Sequence, residues 1–161
     1  MNSNFDTFQN SGYIDHRTQK QILILHIDGH DLFEETLQEE LRIDKLSDIY
    51  LDSLTTWDCV ANGGVEANRG FILDIDQFEI KTKSNLPQCS NKIFIPNSAT
   101  NSSGTTLHRA KKLNYICSIN PTTLSTISGS FKLADGKTSW MAPGGGKAIL
   151  EFIIIARNRE K

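Results

Sequence analysis

The run HIDGHDLFEE (residues 26–35) places His26, Asp28, His30 and Asp31 within six positions, and Glu34 and Glu35 follow. On a strand, His26 and Asp28 share a parity, so both side chains leave by one face. His-x-Asp supplies two of the three ligands in the facial triad that holds non-haem iron in oxygenases. A triad needs a distant second histidine, and His108 is available for that role. The first-row metal chemistry this would support is built on jelly-roll-like sandwiches, so the fold class does not separate the readings.

A simpler reading covers the same residues. Leu23, Leu25 and Ile27 alternate toward a core, which turns His26 and Asp28 toward solvent, and Asp28-Gly29 is a turn dipeptide. Asp31 then stands where a helix N-cap belongs, with Glu34 three residues on as its capping-box partner and acids favoured in the first turn. Few residues precede His26 to build the elements that usually come before such a metal strand. The turn-and-cap reading is preferred, and no catalytic, cofactor-binding or metal-ligating residue is assigned. His26, Asp28 and His108 are kept as the alternative of a small metal-dependent oxygenase.

Other chemical signals fade on inspection. APGGGK (142–147) departs from the phosphate-loop pattern twice: Met141 replaces the first glycine and Ala148 follows the lysine. The sequence after it reads as a strand, which offers no helix N-terminus to a phosphate. Cys59, Cys89 and Cys117 are widely spaced, odd in number and without a nearby histidine, which suggests free thiols in a reducing compartment. HRAKK (108–112) and RNREK (157–161) are short basic runs without interleaved aromatics, read as solvated rims. Neither G-x-S-x-G nor H-E-x-x-H occurs.

The elements that would position these residues are mostly strands. QILILHI (21–27) is aliphatic and β-branched. SDIYLDSLTTW (47–57) sets Ile49, Leu51 and Trp57 on one parity, with Ser53 and Thr55 diluting that face. GFILDIDQFEI (70–80) alternates through Phe71, Leu73 and Ile75 and then changes phase to Phe78 and Ile80, which predicts a bulge or kink. NKIFIPN (91–97) is short. LNYICSI (113–119) puts Leu113, Tyr115, Cys117 and Ile119 on one face. TISGSFKLADG (126–136) turns Ile127, Phe131 and Leu133 inward and closes at Asp135-Gly136. KAILEFIIIAR (147–157) is apolar on both faces apart from Glu151, as a strand deep in a sandwich would be. Trp140 reads as a loop anchor and Trp57 as a core or interface anchor. One helix is predicted over DLFEETLQEEL (31–41), where Phe33, Leu37 and Leu41 recur at spacing four.

With turn-rich loops between them, these strands predict an all-β domain: a single jelly-roll sandwich of about eight antiparallel strands with one short helix near 31–41. The 161 residues suffice for one domain with a core over 21–161, preceded by a polar arm, residues 1–20. That opening lacks the apolar centre of a signal peptide, and no stretch is long and apolar enough to span a bilayer. The net charge of −2 gives no reason to expect nucleic acid. The charge is segregated, however: residues 28–58 carry ten acids against Arg42 and Lys45, and residues 107–161 carry nine bases against three acids. Such halves can pair within one fold or between copies.

Taken together, LSDIYLDSLTTWD (46–58) with FILDIDQFEI, then NPTTLSTISGSFKLADG (120–136) and AILEFIIIAR (148–157), resemble the small jelly-roll capsid proteins of nucleocytoplasmic large DNA viruses, minor capsid or penton-like. The resemblance spans 46–157 and carries no diagnostic motif. It implies a non-enzymatic shell component, found in the virion and assembled in the host cytoplasm, making lateral contacts with other capsid proteins and with copies of itself. It implies no catalytic residues and no cofactor. A trimeric ligand- or receptor-binding sandwich is the remaining alternative on the same fold.

Overall fold

The computed structural model describes residues 20–57, 70–96, 114–141 and 145–157. They form eight strands: β1 (Lys20–Asp28), β2 (Leu32–Ile43), β3 (Ser47–Trp57), β4 (Gly70–Ile75), β5 (Ile93–Pro96), β6 (Asn114–Ile119), β7 (Thr122–Leu133) and β8 (Lys147–Ala156). A 3-10 turn at Pro87–Cys89 is the one helical element among the described residues.

Two four-stranded antiparallel sheets result, ordered β1-β8-β3-β6 and β2-β7-β4-β5. The pairs β1·β8, β2·β7, β3·β6 and β4·β5 nest from the ends of the chain inward and fall alternately in one sheet and the other. A long hairpin rolled across two sheets has this topology, and it defines a jelly roll. The inward parity of each strand fills the space between the sheets. Its largest members are Trp140, Phe71, Phe131 and Phe152, all with no exposure. Phe131 links two of them, stacked on Phe71 at 5.0 Å between centroids and edge-to-face with Trp140 at 4.9 Å. Trp140 lies beyond β7 and anchors its loop, as expected; its Nε1 donates to the His30 carbonyl at 3.3 Å.

The helix expected over 31–41 is instead strand β2. Phe33, Leu37 and Leu41 are separated by multiples of two as well as by four, so a strand also puts them on one side. Ile43, two beyond Leu41 and also buried, fits only the shorter period. Pairing decides the matter, because β7 offers β2 a partner along its length. Between Thr36 and Leu41 the ladder is interrupted, with residues 37–40 facing the single residue 125, and there Glu39 is exposed on the inward parity. Asp31 caps nothing. Its carbonyl accepts the Phe131 amide at 2.8 Å, and its carboxylate lies 3.8 Å from Lys132 Nζ.

Other departures are also matters of register. A bulge at Asp52 in β3 reverses the parity, so Leu54 and Thr56 point inward in place of Ser53 and Thr55. The burial of Trp57 lies outside the described residues. A bulge at Ile116 in β6 keeps Cys117 and Ile119 inside but turns Tyr115 out; Leu113 lies outside the described residues. The phase change after Ile75 is the end of the strand: the Phe78 amide bonds back to the Ile75 carbonyl at 3.0 Å, and Phe78 then packs edge-to-face on Phe152 at 5.7 Å. The Asp135-Gly136 turn forms as predicted, with Gly136 at φ +72° and the Asp135 carboxylate accepting the amides of Lys137 and Thr138 at 2.8 Å each.

Candidate functional site

His26 and Asp28 leave β1 by the outer face, both exposed, while Leu23, Leu25 and Ile27 point inward. His108 lies outside the described residues, and among the described residues no three His, Cys, Asp or Glu side chains gather to hold a metal. Gly29 takes the turn at φ +62°, and its amide bonds to the Gly146 carbonyl at 2.8 Å. That bond ties the first turn to the approach to β8. From APGGGK only residues 145–147 are described, and they lead into strand β8.

Nucleophilic roles find no support among the described thiols. Cys117 is buried, and desolvation pushes its thiol up to about 11, so it is protonated at neutral pH. Cys89 is half-buried with Sγ 3.9 Å from the Ala134 carbonyl. Cys59 and HRAKK lie outside the described residues. Of RNREK only Arg157 is described.

An open depression of about 550 Å³ lies beside the turn after β4, lined in part by Asp74, Asp76, Gln77 and Lys81. Burial raises the Asp74 carboxyl above its usual range, against the pull of Lys92 and with help from Asp76. The neighbouring polar groups are engaged in holding the turn to β7: Asp76 Oδ2 accepts from Ser128 Oγ at 2.7 Å, and Gln77 Oε1 accepts the Ser128 amide at 3.0 Å. Their geometry serves the fold.

The feature that calls for a function is the outer face of the first sheet. Register places Ile22, Ile153, Tyr50 and Tyr115 in one row across β1, β8, β3 and β6. The adjoining rows carry Ile155 between Lys20 and Asp48, and Ile24 beside Glu151. Ile22 is 52% exposed, Ile24 53% and Tyr115 52%, and only Ile153, in the middle, is shielded by its neighbours at 7%. Tyr50 and Tyr115 meet edge-to-face at 5.8 Å. The apolar outer parity of β8 therefore marks a strand central within its sheet, with this face uncovered among the described residues. Exposed apolar side chains grouped on one sheet face form a candidate interaction surface.

A polar cluster closes one end of the face. Arg157 donates to Asp48 Oδ1 through Nε at 2.9 Å and to Ser118 Oγ through Nη2 at 2.7 Å, and Nη2 lies 2.8 Å from Asp48 Oδ1 as an ion pair. Ser118 donates its proton to Asp48 Oδ1 at 2.8 Å, which leaves the Tyr115 hydroxyl to donate to Ser118 Oγ at 3.0 Å. The Arg157 guanidinium, aided by Ser118, holds the Asp48 carboxyl below its usual range against a smaller desolvation. This pair and Asp31–Lys132 join the acidic segment to the basic one inside a single copy. Glu34, Glu39 and Glu40 of β2 face solvent. The cluster was missed in the sequence because its members are scattered over more than a hundred positions; the aliphatic outer parity of KAILEFIIIAR was its nearest signal.

Fold and surface together define the described residues as a jelly-roll β-sandwich with a filled interior and an apolar outer sheet face. No protein-family model matches the chain, and no curated protein matches its sequence. Among the described residues no helix is long and apolar enough to cross a membrane.

Proposed function

We propose that the protein is a structural assembly subunit, a jelly-roll shell component of the minor capsid or penton-like kind, whose partners are copies of itself and other shell proteins. The observation that carries the reading is the apolar row Ile22–Ile153–Tyr50–Tyr115, uncovered among the described residues on the outside of a sandwich whose inside is already filled with Trp140, Phe71, Phe131 and Phe152. Covering a half-exposed isoleucine on association gains about 1 kcal/mol, so a face bearing several favours a partner. The resemblance of residues 46–157 to small capsid jelly rolls of large DNA viruses gives the class of assembly, and with it a place in the virion.

The test is the size of the purified full chain by light scattering at low and high salt, with particles imaged by electron microscopy. Growth into oligomers that persist at high salt, as an apolar contact requires, supports the reading. Deleting residues 1–19 is expected to impair growth while the domain still folds. A monomer at every concentration and salt overturns the proposal.

A further inference from the structure

We infer that the free edge of β1 pairs antiparallel with β1 of a second copy, about a two-fold axis through Ile24, joining two four-stranded sheets into one of eight. Among the described residues the sandwich has four edge strands, β1 and β6 in one sheet, β2 and β5 in the other. Exposed edges are templates for another chain, and proteins blunt them with bulges, prolines, charges or short length. Three edges here carry such devices. The β2 ladder is broken between Thr36 and Leu41, where Glu39 and Glu40 are exposed. Strand β5 has four residues and ends at Pro96. Strand β6 has six and is bulged at Ile116. Strand β1 has neither bulge nor proline, and its charges, Lys20 and Asp28, stand only at its two ends: nine residues pair with β8 without a register shift, and Ile22 and Ile24 stand exposed at its centre. Among the described residues its other side holds no strand. Gln21 Nε2 reaches the Arg42 carbonyl at 2.9 Å, a side-chain contact that occupies no backbone group of β1.

The sequence of β1, KQILILHID, is complementary to itself in one register. Centred on Ile24, the antiparallel pair sets Lys20 against the partner copy's Asp28 at both ends, Ile22 against His26, Leu23 against Leu25, and Ile24 against itself. Every residue of the strand is paired, inward residues meet inward residues, and the two terminal charges are neutralised. Centring on Leu25 would place Asp28 against Ile22, and centring on Leu23 would leave Asp28 unpaired. Any register displaced by a single residue would turn one core face to solvent. On the outer face Ile24 meets Ile24 at the axis, and the row through Ile22 meets His26 of the second copy. A second copy is the occupant that this charge pattern fits. The inference requires only β1 and stands apart from the shell reading.

The test is sedimentation equilibrium of the full chain at physiological ionic strength, with thermal melts to verify folding of each variant. Lys20→Glu and Asp28→Lys each replace two attractive cross-strand pairs with two repulsive ones, and each is expected to weaken the dimer about tenfold; the double variant restores it to within about threefold of the original. Ile24→Lys, which sets two ammonium groups on the axis, abolishes the dimer. A wild-type monomer overturns the inference, as does a dimer that none of these substitutions moves. It is also overturned if deleting residues 1–19 creates a dimer that the full chain lacks, because the chain's own leading segment would then occupy the edge. A β1 dimer that never grows further refutes the shell reading and leaves this one intact, whereas particles that form equally well from Lys20→Glu do the reverse.

Discussion

Gly129 is the position where a single methyl group should do most harm. It lies on the inward parity of β7, opposite Phe33 of β2 on one side and Ile75 of β4 on the other. A Cβ built there falls 1.9 Å from the Asp74 carbonyl oxygen and 3.0 Å from Phe33 Cζ. The first contact is with backbone, so no rotamer change relieves it. β7 and β4 must separate by more than an ångström, which breaks ladder bonds at the centre of the sheet. Overpacking a filled core costs about 1–3 kcal/mol, and an unyielding backbone contact belongs at the top of that range. The entropy alanine removes from the unfolded chain offsets no more than about 1 kcal/mol. The net expectation for Gly129→Ala is a loss of about 2–3 kcal/mol. In urea, with a slope of about 1–3 kcal/mol per molar, the midpoint should fall by roughly 1 M or more. Gly29→Ala provides the contrast: φ is +62° but nothing lies within 4 Å, so only the left-handed backbone penalty of about 1–2 kcal/mol applies. Equal or higher stability for Gly129→Ala would refute the packing of β7 against β4 and β2 in this register.

Three further outcomes follow from other parts of the molecule. Because Arg157 and Ser118 depress the Asp48 carboxyl, this group contributes stability above its unfolded value of 3.8 that is lost as pH falls through the lower folded value. Asp48→Asn should flatten that acid limb in pH-dependent melts and cost no more than about 1 kcal/mol at neutral pH, since the pair is partly exposed. Trp140→Ala should destabilise the domain by about 3–5 kcal/mol in chemical denaturation, as the void falls against Phe131 and the His30 carbonyl loses its donor. In a Cys59→Ser/Cys89→Ser background, Cys117 should resist a thiol-specific chromogenic reagent at pH 8 until the protein is unfolded; rapid labelling of the native state would contradict its burial.

The alternation of Leu23-Leu25-Ile27, Phe71-Leu73-Ile75 and Ile127-Phe131-Leu133 was enough to place β1, β4 and β7 and to orient their core faces, because a strand's two faces repeat every second residue whatever its neighbours are. The outward aim of His26 and Asp28 followed from the same local rule, and the Gly29 and Gly136 turns from their Asp-Gly dipeptides. What local pattern could not decide was pairing. The spacing of Phe33, Leu37 and Leu41 satisfies a helix and a strand alike, and only the open flank of β7 selected the strand. The bulges at Asp52 and Ile116 exist because two neighbouring strands had to be matched at once, and they alone turned Leu54 inward and Tyr115 outward. The candidate surface is a product of that matching. Ile22, Tyr50, Tyr115 and Ile153 are unremarkable one by one, and Asp48 meets Arg157 only because β3, β6 and β8 lie side by side. Period-two burial is written along the chain, whereas which side chains share a face depends on hydrogen-bonded register between remote segments, which tertiary folding alone establishes.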